Sequence, residues 1–369
     1  MFRSLNSSVA FAMALLLAAA ASARDLPDWR EMDKALDAFE YKRAVPLTSD
    51  HPDAMIGQIQ QIAMVGDELW VVDMVVAKAV MRFDQRGRFL GLLGGRGLGP
   101  GEYRSPFRVA VGPGGRVYLH DFATAALSVY EPDLHFQRQI PVFQGSRWYF
   151  PSGILARGDR LFVPCFSDVA ADTNLLEIDE SGAVIASARD CAEPLKKHHV
   201  WMTPVTLIGN AVWLAAQMKP EIFIFDSLRR KARVLEVKGV PEAIDPEAFD
   251  FGKDRYGDHD LQHGFPPRVN RITEIIPVGG HHVLVGGFYR FTMFAPPPGQ
   301  EPDFRPYFHV YDRDGTLLRR GLPLVPPMAP GEEPVQLGGY SAQNLFLYRW
   351  RDDSDENPIV YVYEPRSAS

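Results

Sequence analysis

Apolar residues in this chain fall in short alternating runs of strand length, broken at regular intervals by glycine and aspartate. In the clearest stretch Ile59 to Val65 is followed by a Gly66-Asp67 turn and then Glu68-Leu-Trp-Val-Val-Asp73. Ala79-Val-Met-Arg-Phe-Asp84, the turn Gln85-Arg-Gly87 and Phe89-Leu-Gly-Leu-Leu-Gly94 complete it. The cassette returns with Phe107 to Val111, Gly112 to Gly115, Arg116 to Asp121, Leu127 to Glu131 and His135 to Val142. A period of about fifty residues, each made of short β-branched and aromatic segments joined by turns, predicts β-propeller blades.

Further copies read Gly153–Ala156 with Arg160–Val163, Leu175–Asp179 and Ala183–Ala188, and then Val205–Ile208 with Ala211–Ala215, Glu221–Asp226 and Arg233–Val237. The next contains Ile272–Val278, His282–Val285, Tyr307–Asp312 and Thr316–Leu322. The last holds Val335–Leu337, Asn344–Tyr348 and Ile359–Glu364, one strand short of a blade. Phe39 to Leu47 is extended, apolar and otherwise unassigned, so it is expected to supply the missing strand, because an open blade edge leaves backbone groups unpaired. The expected fold is all-β: a six-bladed β-propeller of four-stranded blades, closed by an N-terminal strand at about 39–47.

The pattern Val80-Met-Arg-Phe-Asp84 with Gly87 and Phe89-Leu90 resembles NHL-type six-bladed propellers, and Gly94 to Tyr103 resembles a loop common after the first blade of their bacterial secreted members. The resemblance is carried by the first two blades. In the later ones the aspartates ending the second strand, Asp73 and Asp121, give way to Cys165, Ala216, Gly287 and Trp350. Hydrolases, lyases and plain binding modules share this fold, so the resemblance implies an architecture and selects no reaction.

Composition places the protein in a compartment and narrows its partners. Met1-Phe-Arg3, an apolar run from Val9 to Ala21 and Ala21-Ser22-Ala23 read as a secretory signal over 1–23, with a mature domain over 24–369. The run is short of the roughly 20 residues that span a bilayer. A periplasmic or extracellular monomer with no integral membrane segment is expected. The 39 basic and 46 acidic residues give a charge of −7, which argues against nucleic acid as a partner. Two cysteines in an oxidising compartment invite a Cys165–Cys191 disulfide.

Turns between first and second strands are tight, whereas second-to-third and inter-blade connections are long, so ligand residues are expected on one built-up face. The candidates there are Arg96, Arg104, Trp201, Asp260, Arg268, Arg271, Tyr289 and Arg290, where rings and charges suit a small molecule, a glycan or a protein partner. His259 and His263, four apart on the longest insertion, together with His198 or His199, are candidate ligands for zinc or calcium; a solvated loop is the plainer reading. Asp73 and Asp121 are read as caps of turn amides, not as calcium ligands. Glycines of the Gly94–Glu102 loop are read as serving positive-φ turns, not a phosphate. No cofactor motif, Ser-His-Asp order or redox cysteine pair is legible. The leading expectation is a binding module for a small ligand or protein partner; the second is a hydrolase or lyase, metal-dependent through these histidines.

Overall fold

The computed structural model describes residues 39–49, 51–124, 126–144, 147–148, 150–151, 153–166, 175–188, 204–216, 221–237, 269–278, 282–290, 304–312, 314–320, 336–341, 344–349 and 357–365. After β1 (Phe39–Pro46), blade 1 comprises β2 (Ile59–Val65), β3 (Glu68–Asp73), β4 (Ala79–Phe83) and β5 (Phe89–Leu92). The connection to the next blade carries the two-residue strands β6 (Gly95–Arg96) and β7 (Glu102–Tyr103). Blade 2 is β8 (Pro106–Val111), β9 (Val117–Asp121), β10 (Ala126–Tyr130) and β11 (Phe136–Pro141), followed by β12 (Phe143–Gln144) and β13 (Arg147–Trp148). Blade 3 has β14 (Phe150–Pro151), β15 (Leu155–Arg157), β16 (Arg160–Phe166), β17 (Leu175–Asp179) and β18 (Val184–Ala188). Blade 4 is β19 (Val205–Ile208), β20 (Ala211–Ala216), β21 (Glu221–Phe225) and β22 (Arg233–Glu236). Blade 5 is β23 (Val269–Val278), β24 (His282–Arg290), β25 (Phe304–Asp312) and β26 (Leu317–Arg320). Blade 6 contains β27 (Gln336–Ser341), β28 (Asn344–Arg349) and β29 (Ile359–Pro365).

Five of the six blades are four-stranded sheets and blade 3 is five-stranded. The departure in blade 3 is an inner strand in two pieces: β14 pairs with the Cys165 end of β16 and β15 with its Arg160 end. Blade 6 takes β1 as its outer strand, antiparallel to β29 from Phe39↔Pro365 to Pro46↔Ile359. The chain leaving β1 continues onto blade 1, where the Thr48 N–H donates to Gly87 O at 2.8 Å and the Phe89 N–H donates to Thr48 O at 3.1 Å.

Turn chemistry repeats with the blades. Asp179 and Asp312 each end a third strand and Asp84 directly follows one, and each is followed three residues later by a glycine, Gly87, Gly182 or Gly315, at φ between 85° and 91°. One carboxylate oxygen of each aspartate accepts two amides of its turn: Arg86 and Arg88, Ser181 and Ala183, Asp314 and Thr316, at 2.7–3.0 Å. Hydrogen bonding, from the Ser181 hydroxyl foremost at Asp179 and from the turn amides at Asp84 and Asp312, favours the ionised carboxyl and holds all three aspartates below the ordinary carboxylate range.

The apolar faces of neighbouring blades close on one another as seams. Trp70, Val72, Val109 and Leu119 join blades 1 and 2; Leu127, Val163 and Leu176 join 2 and 3. Phe162, Leu214 and Phe223 join 3 and 4, and Trp213, Ile275 and Tyr311 join 4 and 5. Phe346 and Val362 meet Ile62 and Val71 between blades 6 and 1. Such seams bury the bulk of the core, since each blade has two apolar faces and no other cover.

Candidate functional site: the axial cavity

The inner strands β2, β8, β15, β19 and β23 enclose a cavity of about 470 Å³ on the axis. In blades 1 to 4 the inner strand runs towards a tight turn, and the lining takes in Gln61 and Arg108 within β2 and β8 and Val65, Gly66 and Val111 at their turn ends. Gln61 to Gly66 spans about 16 Å of extended chain. Val111 is 41% exposed at this mouth. The cavity therefore reaches the tight-turn end of the channel, opposite the face on which a ligand site was expected. The loops of that other face lie largely outside the described residues.

Backbone irregularity places the polar groups. Register shifts interrupt the pairing of the inner strands between Ile59 and Gln61, Pro106 and Arg108, Ile272 and Glu274, and Leu337 and Gly339. A bulge inserts one residue, breaks the in–out alternation and re-aims the side chain that follows. In blades 1, 2 and 5 the residue after the bulge is Gln61, Arg108 or Glu274, and all three line the cavity. Gln61 is committed to structure: its amide nitrogen donates to Val109 O at 3.1 Å and its oxygen accepts the Val109 N–H at 2.8 Å.

Arg108 and Glu274 belong to blades three steps apart in a ring of six, so their contact crosses the axis. Arg108 Nη1 donates to Glu274 Oε1 at 3.3 Å, with the two side chains 16% and 17% exposed. Burial raises the Glu274 carboxyl above its ordinary value of 4.5, against the pull of Arg108. The guanidinium thus compensates this carboxylate only in part.

His120 stands directly across the β8–β9 pair from Arg108. It is fully buried, its ring 5.5 Å from Phe107 in an edge-on arrangement, and neither ring nitrogen has a hydrogen-bond partner among the described residues. Burial, with the Arg108 charge adding to it, depresses its pKa to about 3. His120 is therefore neutral at physiological pH.

The aspartates ending the second strands act as caps. Asp73 accepts the amides of Gly57 and Gln58 at 2.6 and 2.9 Å and those of Val75 and Val76 at 2.9 Å. Asp121 accepts the amides of Arg104, Ser105 and Ala123 at 2.9–3.2 Å and the Thr124 hydroxyl at 3.2 Å. Both carboxylates are filled by donors of their own chain. The glycine loop is likewise self-satisfied: the amides of Gly95, Gly97 and Gly99 donate to Gly101 O, Tyr103 O and Glu102 Oε2 at 2.7–3.1 Å. Gly94 and Gly101 have φ of 61° and 76°, and a Cβ on Gly94 would stand 2.4 Å from Gly101 O. The loop is a close-packed turn whose amides point inward.

Of the residues singled out from sequence, Arg96 and Arg104 are exposed on the connection between blades 1 and 2 and do not line the cavity. Arg271 lies on β23, and Tyr289 and Arg290 on β24, paired as Arg271↔Phe288, Tyr289↔Asn270 and Arg290↔Val269. Trp201, Asp260, Arg268 and the histidines His198, His199, His259 and His263 lie outside the described residues. Among the described residues no three His, Cys, Asp or Glu side chains gather as a metal site. Cys165 is buried in the seam of blades 2 and 3; Cys191 lies outside the described residues. No described helix is long and apolar enough to cross a membrane.

Residues 30–152 match the model of a family described as DUF5128, a 6-bladed beta-propeller. No curated relative matches the chain in sequence. A Bacteroides fragilis protein described as exported superposes with a TM-score of 0.59 at 12% identity, over 90% of this chain and 97% of that one. A DUF4221 member from Bacteroides vulgatus gives 0.54 at 10% identity, over 89% and 98%. A virginiamycin B lyase from Staphylococcus aureus gives 0.48 at 11% identity, over 86% and 83%, too distant to bear on activity. The family match and the two Bacteroides structures establish the all-β propeller fold.

Proposed function

We propose that this protein is an exported binding module of the NHL-type propeller kind that holds a small ligand in its axial cavity. The observation that carries this reading is a cavity of about 470 Å³, framed by inner strands of five blades, with Arg108 and Glu274 meeting across its floor. Its size lies within the range of small-molecule sites, and an apolar wall with few converging polar groups is their usual composition. Rigid inner strands hold the frame, so little ordering is needed on binding. The Val9–Ala21 run and the small residues before Arg24 support export.

Thermal melting against a panel of amino acids, organic acids, sugars and nucleosides tests the reading. A ligand at about a hundred times its Kd adds about 2.7 kcal/mol of stability and raises the melting temperature by several degrees. Thr206→Trp, which fills the cavity from blade 4, abolishes that response. A panel member that stabilises both proteins equally binds elsewhere and refutes the assignment.

A further inference from the structure

Arg108 and Glu274 form an ion pair that leaves most of its bonding capacity unused. A guanidinium has five N–H donors in a fork shaped for a carboxylate, and the pair engages one of them, at 3.3 Å. Among the described residues Arg108 donates no other side-chain bond, and Glu274 accepts none besides this one. The same chain shows a completed fork: Arg82 Nε and Nη2 donate to both oxygens of Glu68 at 2.8 and 2.7 Å, and Trp70 Nε1 adds a third bond at 2.9 Å. The channel pair differs from it in facing a cavity and in being drawn from opposite sides of the ring.

The rest of the lining limits what the pair can recognise. Gln61 is held by Val109, and most of the other walls are apolar, among them Met64, Ile154, Leu155, Val205 and Ile275. One unsaturated cation and one unsaturated anion side by side, under an apolar vault, complement a molecule carrying the two opposite charges close together and a hydrophobic body. Among the described lining residues the side chains left for a sugar's hydroxyls are this pair and Thr206. A ligand of single charge would leave one partner of the pair buried and unmatched, which is costly.

Building on the proposed axial site, we infer that the cavity takes an α-amino acid with a large apolar side chain, its carboxylate on Arg108 and its ammonium on Glu274. The ligand's two charges insert between the two side chains and complete both, so no buried charge loses its partner on binding. The apolar side chain points along the channel towards the tight-turn mouth.

Calorimetric titration of L-phenylalanine, with 3-phenylpropanoate lacking the ammonium and phenethylamine lacking the carboxylate, tests this directly. Phenylalanine is expected to bind, each comparator about tenfold more weakly or worse, since a hydrogen-bonded charge is lost in each. Arg108→Gln and Glu274→Gln are each expected to lower phenylalanine affinity about tenfold or more, by the same loss. Should either variant fail to fold, the three ligands on the wild-type protein decide. Equal binding of the comparators, phenylalanine binding indifferent to both substitutions, or a different panel member lost on Thr206→Trp while phenylalanine never binds would overturn this inference and leave the axial site standing. A cavity that takes no member of the panel defeats both.

Discussion

Glu68 and Glu274 each face an arginine inside the propeller, yet Glu68 meets Arg82 through two bonds at 2.8 and 2.7 Å and Glu274 meets Arg108 through one at 3.3 Å. The consequence appears in their acidity. Arg82 draws the Glu68 carboxyl below its ordinary value, whereas burial pushes that of Glu274 above it despite Arg108. The aspartates ending the second strands of blades 1 and 2 follow the Glu68 pattern: Asp73 and Asp121 are filled by donors of neighbouring turns. Groups at and behind the channel wall, Arg108, Glu274 and His120, are left short of partners. Saturated polar groups specify the blade, whereas the Arg108–Glu274 pair keeps bonding capacity towards the cavity, which is why the proposed ligand is placed there.

The contrast is sharpest at His120. Its folded-state pKa of about 3 lies far below the ordinary 6.5, so the unfolded chain takes up a proton between those values and the folded one does not. Its contribution is intact above pH 6.5 and falls away as pH drops towards 3, by on the order of 4 kcal/mol. His120→Phe, which packs against Phe107 with no nitrogen to satisfy, is expected to flatten that acid limb in urea titrations run across this range. An unchanged limb would mean that His120 has partners in solution and belongs with the saturated groups.

Asp73→Ala removes a fully buried carboxylate that accepts four turn amides and is expected to cost about 3 kcal/mol by chemical denaturation. A cost below about 1 kcal/mol, the worth of a single ordinary hydrogen bond, would remove Asp73 from the saturated class. Arg82→Ala leaves Glu68 with Trp70 alone, and about 1 kcal/mol is expected in the same assay, because both side chains retain contact with water.

Blade order and turn positions were readable because each strand carries its own local instruction. Glu68 to Asp73 is β-branched and aromatic, and the Asp-x-x-Gly turns at Asp84, Asp179 and Asp312 fix their own geometry through a positive φ and an aspartate cap. The closing strand was readable from an edge that needed a partner, and β1 meets β29 in that place. The channel pair was not. Arg108 and Glu274 are separated by 166 residues and meet only because six blades set them across an axis. A signal was present all the same: a charged residue in the middle of an inner strand, Phe-Arg-Val-Ala-Val in β8 and Ile-Thr-Glu-Ile-Ile in β23, breaks the alternation where a bulge turns it inward. The candidates read from sequence sit in stretches rich in His, Asp and aromatic residues, most of them outside the described residues. Composition marks a loop as chemical, but it does not mark which strand position faces a channel.

A double-mutant cycle on both arginine–glutamate pairs, measured by urea denaturation without ligand, tests the central claim most directly. Replacing Glu68 and Arg82 singly and together is expected to give a coupling of about 1 kcal/mol or more, whereas Arg108→Met with Glu274→Met is expected to leave stability within about 1 kcal/mol of wild type, since apolar residues of similar volume replace a poorly compensated buried pair. A large loss in that Arg108/Glu274 double variant, matched by strong coupling, would show that the axial pair holds the ring together and contradict its assignment to a ligand.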